Sequence, residues 1–261
     1  MDFFNLNVPS GDSASEVVKK KFTCGIHGAY EAEVLKFAGE EIGGMCPECM
    51  KLWQKKSDDE LKDKQKKAHI EFCKSCNIEP EFYDYTIDSY QPKTESQKKA
   101  KLAVQHMMKT GFGKIILLGS CGTGKTMLAS IAAKHFGGKV YTMYEISTMI
   151  RQSYTPKAEK SELEIVNELA SIPFLAIDEL GRTKGSSTEQ NWLSYILDKR
   201  HTRRLPFMLL SNGHFKSQCK EKNGCPRCFE NFIDSDVLSR LQQDSALITI
   251  HAPDIRANKS A

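Results

Sequence analysis

Residues Gly119 to Thr126 read GSCGTGKT, the form G-x-x-x-x-G-K-T, between the apolar run Ile115-Ile116-Leu117-Leu118 and the helix-favouring stretch Thr126-Met127-Leu128-Ala129-Ser130-Ile131-Ala132-Ala133-Lys134. A buried strand that turns sharply into a helix gathers successive backbone N–H groups around a polyphosphate, at the positive end of the helix. In this pattern Gly119, Ser120, Cys121, Gly122, Thr123 and Gly124 form the cradle, Lys125 reaches the β- and γ-phosphates, and Thr126 ligates Mg²⁺. ATP and Mg²⁺ are the cofactors such a loop predicts.

Further along, Pro173-Phe174-Leu175-Ala176-Ile177-Asp178-Glu179 is an apolar run ending in two carboxylates. A strand buried on both faces of a parallel sheet reads this way, and its C-terminal end opens on the crevice where ligands bind. Asp178 is expected to hold the Mg²⁺ and its water, and Glu179 to orient and deprotonate the water that attacks the γ-phosphate. Parallel strands are expected near 115–118, 139–144, 173–178, 207–211 and 246–251 with helices between them, an α/β doubly wound sheet of five strands. The fourth ends in Asn212, either an amide aimed at the γ-phosphate from a neighbouring strand tip or a turn former ahead of Gly213.

A chain of 261 residues has room for that domain and a smaller module. A net charge of +4 identifies no nucleic-acid partner by itself. No apolar run is long enough to span a membrane, and Met1-Asp2-Phe3-Phe4 lacks the basic start and apolar core of a signal peptide, so no membrane partner and a cytoplasmic location are expected. In a reducing compartment, nine cysteines point to metal ligation or buried thiols before disulfides.

Cys24 and His27, then Cys46 and Cys49, give C-x2-H and C-x2-C pairs around a hairpin-like stretch at 30–42, the spacing of a structural zinc site. The module, 1–52, has too few apolar residues to fold without its metal. A solvated linker helix is expected over 53–76, charged on nearly every side from Trp53 to Lys67. Within it Cys73 and Cys76 read either as thiols at a helix end or as metal ligands. The nucleotide domain follows over 77–261, with a Cys-rich insert near 214–228. There Cys225-Pro226-Arg227-Cys228 repeats the form of Cys46-Pro47-Glu48-Cys49. With Cys219 and His214 it makes either a second zinc site or a group of buried thiols.

Several of these motifs together resemble the DnaC/DnaI-type helicase loaders, AAA+ ATPases related to the IstB-type transposition ATPases. The resemblance is carried by Cys76-Asn77-Ile78-Glu79-Pro80 leading to Tyr85-Thr86-Ile87-Asp88-Ser89-Tyr90, by GSCGTGKT, by Ile177-Asp178-Glu179-Leu180-Gly181, by Leu210-Ser211-Asn212 and by Val237-Leu238-Ser239-Arg240-Leu241. It implies an AAA+ P-loop fold without the C-terminal helical lid, for which the ten or so residues after the fifth strand leave no room. It also implies that Asn212 is sensor 1 and that Arg240 is the finger reaching a neighbouring subunit's γ-phosphate.

By that resemblance the chain is expected to be an ATPase that assembles as a homo-oligomer, binds a replicative DNA helicase through the zinc module, and binds single-stranded DNA. Arg151, Tyr154 and Lys157, after the second strand, are the candidates for DNA contact, although an amphipathic core-packing helix accounts for Met149 and Ile150 there equally well. Two other readings stay open: an IstB-like ATPase assisting a transposase, and a non-hydrolysing zinc and nucleotide scaffold, which Glu179 and Arg240 disfavour.

Overall fold

Every residue of β4 (Lys114–Gly119) is buried, and the strand's apolar side chains divide by parity between two layers. Ile115 and Leu117 enter one core; Ile116 and Leu118 enter the other. That division is the alternation of a pleated strand covered on both faces, and it explains why the run is continuously hydrophobic. The computed structural model describes residues 16–37, 39–181, 186–221 and 225–254. They form two units, divided between Ala68 and His69.

In the second unit the parallel sheet has the order β5-β6-β7-β4-β8, with β5 at Lys139–Thr142, β6 at Leu175–Leu180, β7 at Phe207–Ser211 and β8 at Ser245–Ile250. Helices α2 (Glu95–Thr110) and α3 (Lys125–Phe136) pack on one face. On the other face lie α4 (Met143–Gln152), α5 (Glu162–Ser171), α6 (Ser187–Thr202) and α7 (Ser235–Gln242). From β4 the chain crosses to β5 at the far edge, works back through β6 and β7, and places β8 on β4's other side. The reversal opens a crevice at the C-terminal ends of β4 and its neighbours.

All five expected strands are present, two of them with ends that differ by more than one residue. The strand expected over 139–144 stops at Thr142, whose hydroxyl accepts from the Glu145 N–H while the Glu145 carboxylate accepts from the Thr142 N–H (2.7 Å), a reciprocal cap that starts α4 at Met143. The strand expected over 173–178 runs instead from Leu175 to Leu180, with an irregularity between Ile177 and Leu180. The same Ser/Thr-x-x-Glu/Gln capping box begins α2, α5 and α6. Residues 255–261, on which the expected lack of a lid rests, lie outside the described residues.

The first unit holds an antiparallel sheet of β1 (Glu16–Cys24), β2 (Gly28–Phe37) and β3 (Glu40–Gly43). Phe22 stacks on Tyr30 with ring centroids 5.7 Å apart, and Val34 and Cys46 are the buried residues among those described there. Helix α1 (Pro47–Ser75) starts inside the second Cys pair, where the Met50 N–H donates to the Cys46 carbonyl (2.8 Å). It thus begins earlier than the linker helix expected over 53–76, since Pro suits the first turn of a helix. Among the described residues no helix is long and apolar enough to cross a membrane.

Arg200, in the last turn of α6, is fully buried. Its guanidinium donates to the carbonyls of Leu169 (3.1 Å), Ile172 (2.7 Å) and Pro206 (2.7 Å), joining the end of α5 to the chain entering β7. Replacing it strands those acceptors in the core, so Arg200→Met should lower stability by about 3 kcal/mol in urea denaturation. An unchanged midpoint would show that the carbonyls find other donors.

Candidate functional site

The loop between β4 and α3 is pressed from outside at its glycines. Gly122 has φ 71° and a Cβ there would overlap the Asp254 carboxylate; Gly124, φ 93°, lies against the Tyr90 ring. Both need glycine twice over, for backbone angle and for space. Tyr90 is buried, its hydroxyl has no hydrogen-bond partner among the described residues, and burial pushes its pKa up to about 12.

Lys125 follows at the first turn of α3, with its ammonium donating to the carbonyls of Gly119 and Ser120 (2.8 Å each) and to Asn212 Oδ1 (3.0 Å). Thr126 Oγ1 donates to Asp178 Oδ2 (2.6 Å), and the other oxygen of Asp178 accepts from the Glu179 N–H (2.6 Å). Glu179 itself takes φ 56°, a costly angle for a side chain of its size and one often kept where it aims a functional group. The residues named for phosphate, Mg²⁺ and water therefore meet at one place. Hydroxyl and carboxylate there are a donor set that suits Mg²⁺.

These side chains and the phosphate loop line a cleft of about 160 Å³ whose other wall includes Glu81, Phe82 and Tyr85. Sequence reasoning did not assign those three as site residues. The segment is held by Lys134 of α3, which donates to the carbonyls of Phe82 (2.9 Å), Tyr83 (2.5 Å) and Tyr85 (2.6 Å). One helix thus carries both the phosphate loop and the wall beside it. The aromatic pair Phe82-Tyr83, two and three residues after Pro80, was the available signal.

Arg240 lies elsewhere. It sits on α7, where its carbonyl accepts from the Lys114 ammonium (3.0 Å) and its guanidinium pairs with Asp198 of α6. Lys114 opens β4 and the phosphate loop closes it, so the two ends are separated by the strand's six residues. At ~3.3 Å per residue that is about 20 Å, too far for Arg240 to touch its own chain's cleft. Arg151 pairs with Glu189 (3.5 Å), the Tyr154 hydroxyl donates to Glu162, and Lys157 is exposed.

Two groups of metal-ligating atoms converge, each with all its atoms within 4.8 Å of one another: Cys24, His27, Cys46 and Cys49 in the first unit, and His214, Cys219, Cys225 and Cys228 in the second. In the first, His27 Nδ1 lies 3.7 Å from Cys24 Sγ, 3.6 Å from Cys46 Sγ and 3.3 Å from Cys49 Sγ. A tetrahedron with bonds of about 2.3 Å has edges of about 3.7 Å, so three thiols and an imidazole in this arrangement fit zinc. The N–H groups of His27 and then Ile26 draw the Cys24 thiol down to about 6, while Cys49 is pushed up to about 11, chiefly through its bond with Cys24. Cys73 and Cys76 belong to neither group; both are buried, and Cys76 is part of the core beside α2 and α3.

The profile of the family described as IstB-like ATP binding protein matches residues 57–258. The chain is similar to the replicative helicase loader DnaC of Escherichia coli K12, 25% identical over 151 residues that make up 55% of this chain and 61% of the loader. It spans about three fifths of that relative's length. Its fold is similar to that of the replication initiator DnaA bound to AMPPCP and single-stranded DNA (TM-score 0.53, 20% identity, 67% of this chain and 51% of that one). It is also similar to DnaI (TM-score 0.51, 16% identity, 68% and 93%). The five-stranded parallel sheet is thus that of an AAA+ P-loop domain.

The Thr126–Asp178 pair yields a direct test. Thr126→Val should weaken ATP binding about tenfold with Mg²⁺ present and hardly at all with Mg²⁺ omitted, ~1.4 kcal/mol that only the metal-bound form loses. Titration of a fluorescent ATP analogue under both conditions reads this; equal losses would remove Thr126 from the metal site.

Proposed function

The chain belongs to the family of IstB-like ATP binding proteins, and we propose that it is an ATPase that loads a replicative DNA helicase. The observation that carries the ATPase reading is the convergence of Lys125, Thr126, Asp178, Glu179 and Asn212 on one cleft. In this reading the loop's N–H groups and Lys125 hold the triphosphate, while Thr126 and Asp178 hold the Mg²⁺ that neutralises charge building on the transferred group. Glu179 takes the proton from the attacking water, and Asn212 orients that water from the tip of β7.

Arg240 completes the site from a second copy of the chain. Its place at the opposite end of the sheet from Lys125 supports action on a neighbour, and such an arginine raises turnover by about 10³–10⁵-fold. The Asp198 pair would then be exchanged for the neighbour's γ-phosphate. Similarity to the DnaC loader supports a replicative helicase as partner, and the similar DnaA domain binds single-stranded DNA. For this chain we assign DNA contact to Arg151, Tyr154 and Lys157, the first of which Glu189 must release and the second Glu162.

The first unit serves as the helicase-docking arm, closed by zinc on Cys24, His27, Cys46 and Cys49. Support for the metal is the thinness of its core: with Val34 and Cys46 as the buried residues among those described, the sheet has little apolar burial to set against chain entropy. The family description also favours a second reading, an ATPase that assists a transposase.

Glu179→Gln should bind ATP as the unaltered chain does and lower turnover at least 100-fold, in line with the contribution of a general base; turnover near the original rate would exclude Glu179 from that role. Arg240→Ala and Lys125→Ala chains, each inactive alone, should recover turnover when mixed, because the intact arginine of one meets the intact cleft of the other. Failure of every ratio to recover activity would count against action between copies. Capture from host extract with the full chain as bait should retain a replicative helicase; retention of a transposase instead would favour the second reading.

A further inference from the structure

The chain between β7 and α7 carries the Cys-rich insert, and its two ends lie beside the two residues that the ATPase reading most needs held in place. We propose that a zinc-class metal bound by His214, Cys219, Cys225 and Cys228 locks this segment into a strut, so that ATP turnover depends on the ion while ATP binding does not. The inference rests on the ATPase reading above and assigns the insert a part in it.

The ligand set comes first. His214 Nε2 lies 3.5 Å from Cys225 Sγ and 3.6 Å from Cys228 Sγ, and all four ligand atoms fall within 4.8 Å of one another. Cys225 and Cys228 are buried, at 3% and 4% exposure. Three thiolates and an imidazole fill the coordination shell of a tetrahedral soft-ligand site, leaving no open position for catalysis, so the ion's contribution here is structural.

The backbone around the ligands shows what the ion would hold. His214 is two residues beyond Asn212 and forms a parallel bridge with Cys228. Its N–H donates to the Arg227 carbonyl (3.2 Å), and its own carbonyl accepts from the Phe229 N–H (2.9 Å). Arg227's carbonyl sits so close to Gly213 that a Cβ there would overlap it. Upstream, the Gly213 N–H donates to Ser211 Oγ (3.0 Å), and that hydroxyl donates to the Leu180 carbonyl (2.5 Å), at the end of the strand that carries Asp178 and Glu179.

Downstream, Phe229, Phe232 and Ile233 are buried, and Phe232 packs on Gly181. Asp234 then caps α7, which ends at Arg240's turn. Covalent and hydrogen-bonded links therefore run from Asn212 through the ligand cluster to α7. Among the described residues of the insert, the arm that starts at His214 is joined to the Cys225–Cys228 arm by these backbone bonds, by the Phe215–Phe229 ring contact (6.0 Å), by the Lys216 N–H donating to the Glu230 carboxylate (2.9 Å) and by the ligand set. Without the ion, buried thiols would stand against each other in its place, and the path from the amide to the arginine would rest on the remaining contacts alone.

The test uses the full-length chain purified with its metal. Elemental analysis should find two zinc per chain in the unaltered protein and one in Cys225→Ser. Cys225→Ser should bind a fluorescent ATP analogue within about threefold of the unaltered chain and lose turnover at least tenfold. Cys219→Ser should behave alike, and Cys219→His, which returns a nitrogen ligand, should regain the second metal and most of the turnover that Cys219→Ser loses. Cobalt exchanged into this site should give the visible bands of a tetrahedral thiolate complex, reduced in intensity in Cys225→Ser.

One zinc per chain in the unaltered protein, untouched by Cys225→Ser, would overturn the metal site. Loss of one zinc with turnover unchanged would overturn the strut, as would loss of ATP binding in both serine variants. An unaltered chain that holds two zinc and turns over no ATP would instead sink the ATPase reading and the coupling with it, while leaving the metal site standing on the metal count and the cobalt spectrum.

Discussion

Helix α3 begins above the tips of three strands, and two side-chain bonds fasten it there. Lys125 reaches Asn212 beyond β7, and Thr126 reaches Asp178 in β6, so residues from three separate stretches of sequence share one corner. Tyr90 and Asp254 press on the loop that feeds the helix, from segments before and after the sheet. Pinning the helix start from so many sides gives the preorganised kind of arrangement that favours charge stabilisation. The cleft wall at Phe82 and Tyr85 inherits its position from the same helix through Lys134.

Much of this was legible in the sequence because the motifs are local. GSCGTGKT and the run ending in Asp178-Glu179 need only their own neighbours to declare a strand, a loop and a crevice. Features that depend on distant partners, or on a local cap that the apolar pattern outweighs, were not legible. Thr142 ends β5 early because Glu145 caps it, a local bond that the apolar pattern outweighed. Strand β1 was missed: a run of three lysines, Lys19 to Lys21, reads as a solvated stretch, yet each is paired across the sheet, with Glu33, Glu41 and Glu31 in turn. Arg200, charged and near a helix end, looks like a surface residue until its carbonyl partners on α5 and before β7 are in place.

Both cysteine clusters were visible as ligand spacings, but spacing alone left the second one open. Closure of the set comes from the His214–Cys228 bridge, a pairing no pattern in the chain announces. The first cluster works differently, in a unit whose sheet is mostly exposed. There a metal would supply what a small apolar core cannot. Cys73 and Cys76, which share the C-x2-C spacing, are instead buried thiols, Cys76 within the apolar core and Cys73 beside His69 Nε2 (3.7 Å).

The separation of Arg240 from Lys125 along the length of β4 gives the domain a front and a back. On the proposed reading, copies that pass an arginine forward to the next cleft would join unlike surfaces, an association that propagates in one direction. If the rotation between copies does not close into a ring, the result is a spiral whose two terminal subunits differ. One offers a cleft that no arginine serves, and the other an arginine with no cleft to serve. Such a filament would carry an inherent direction, written into each subunit.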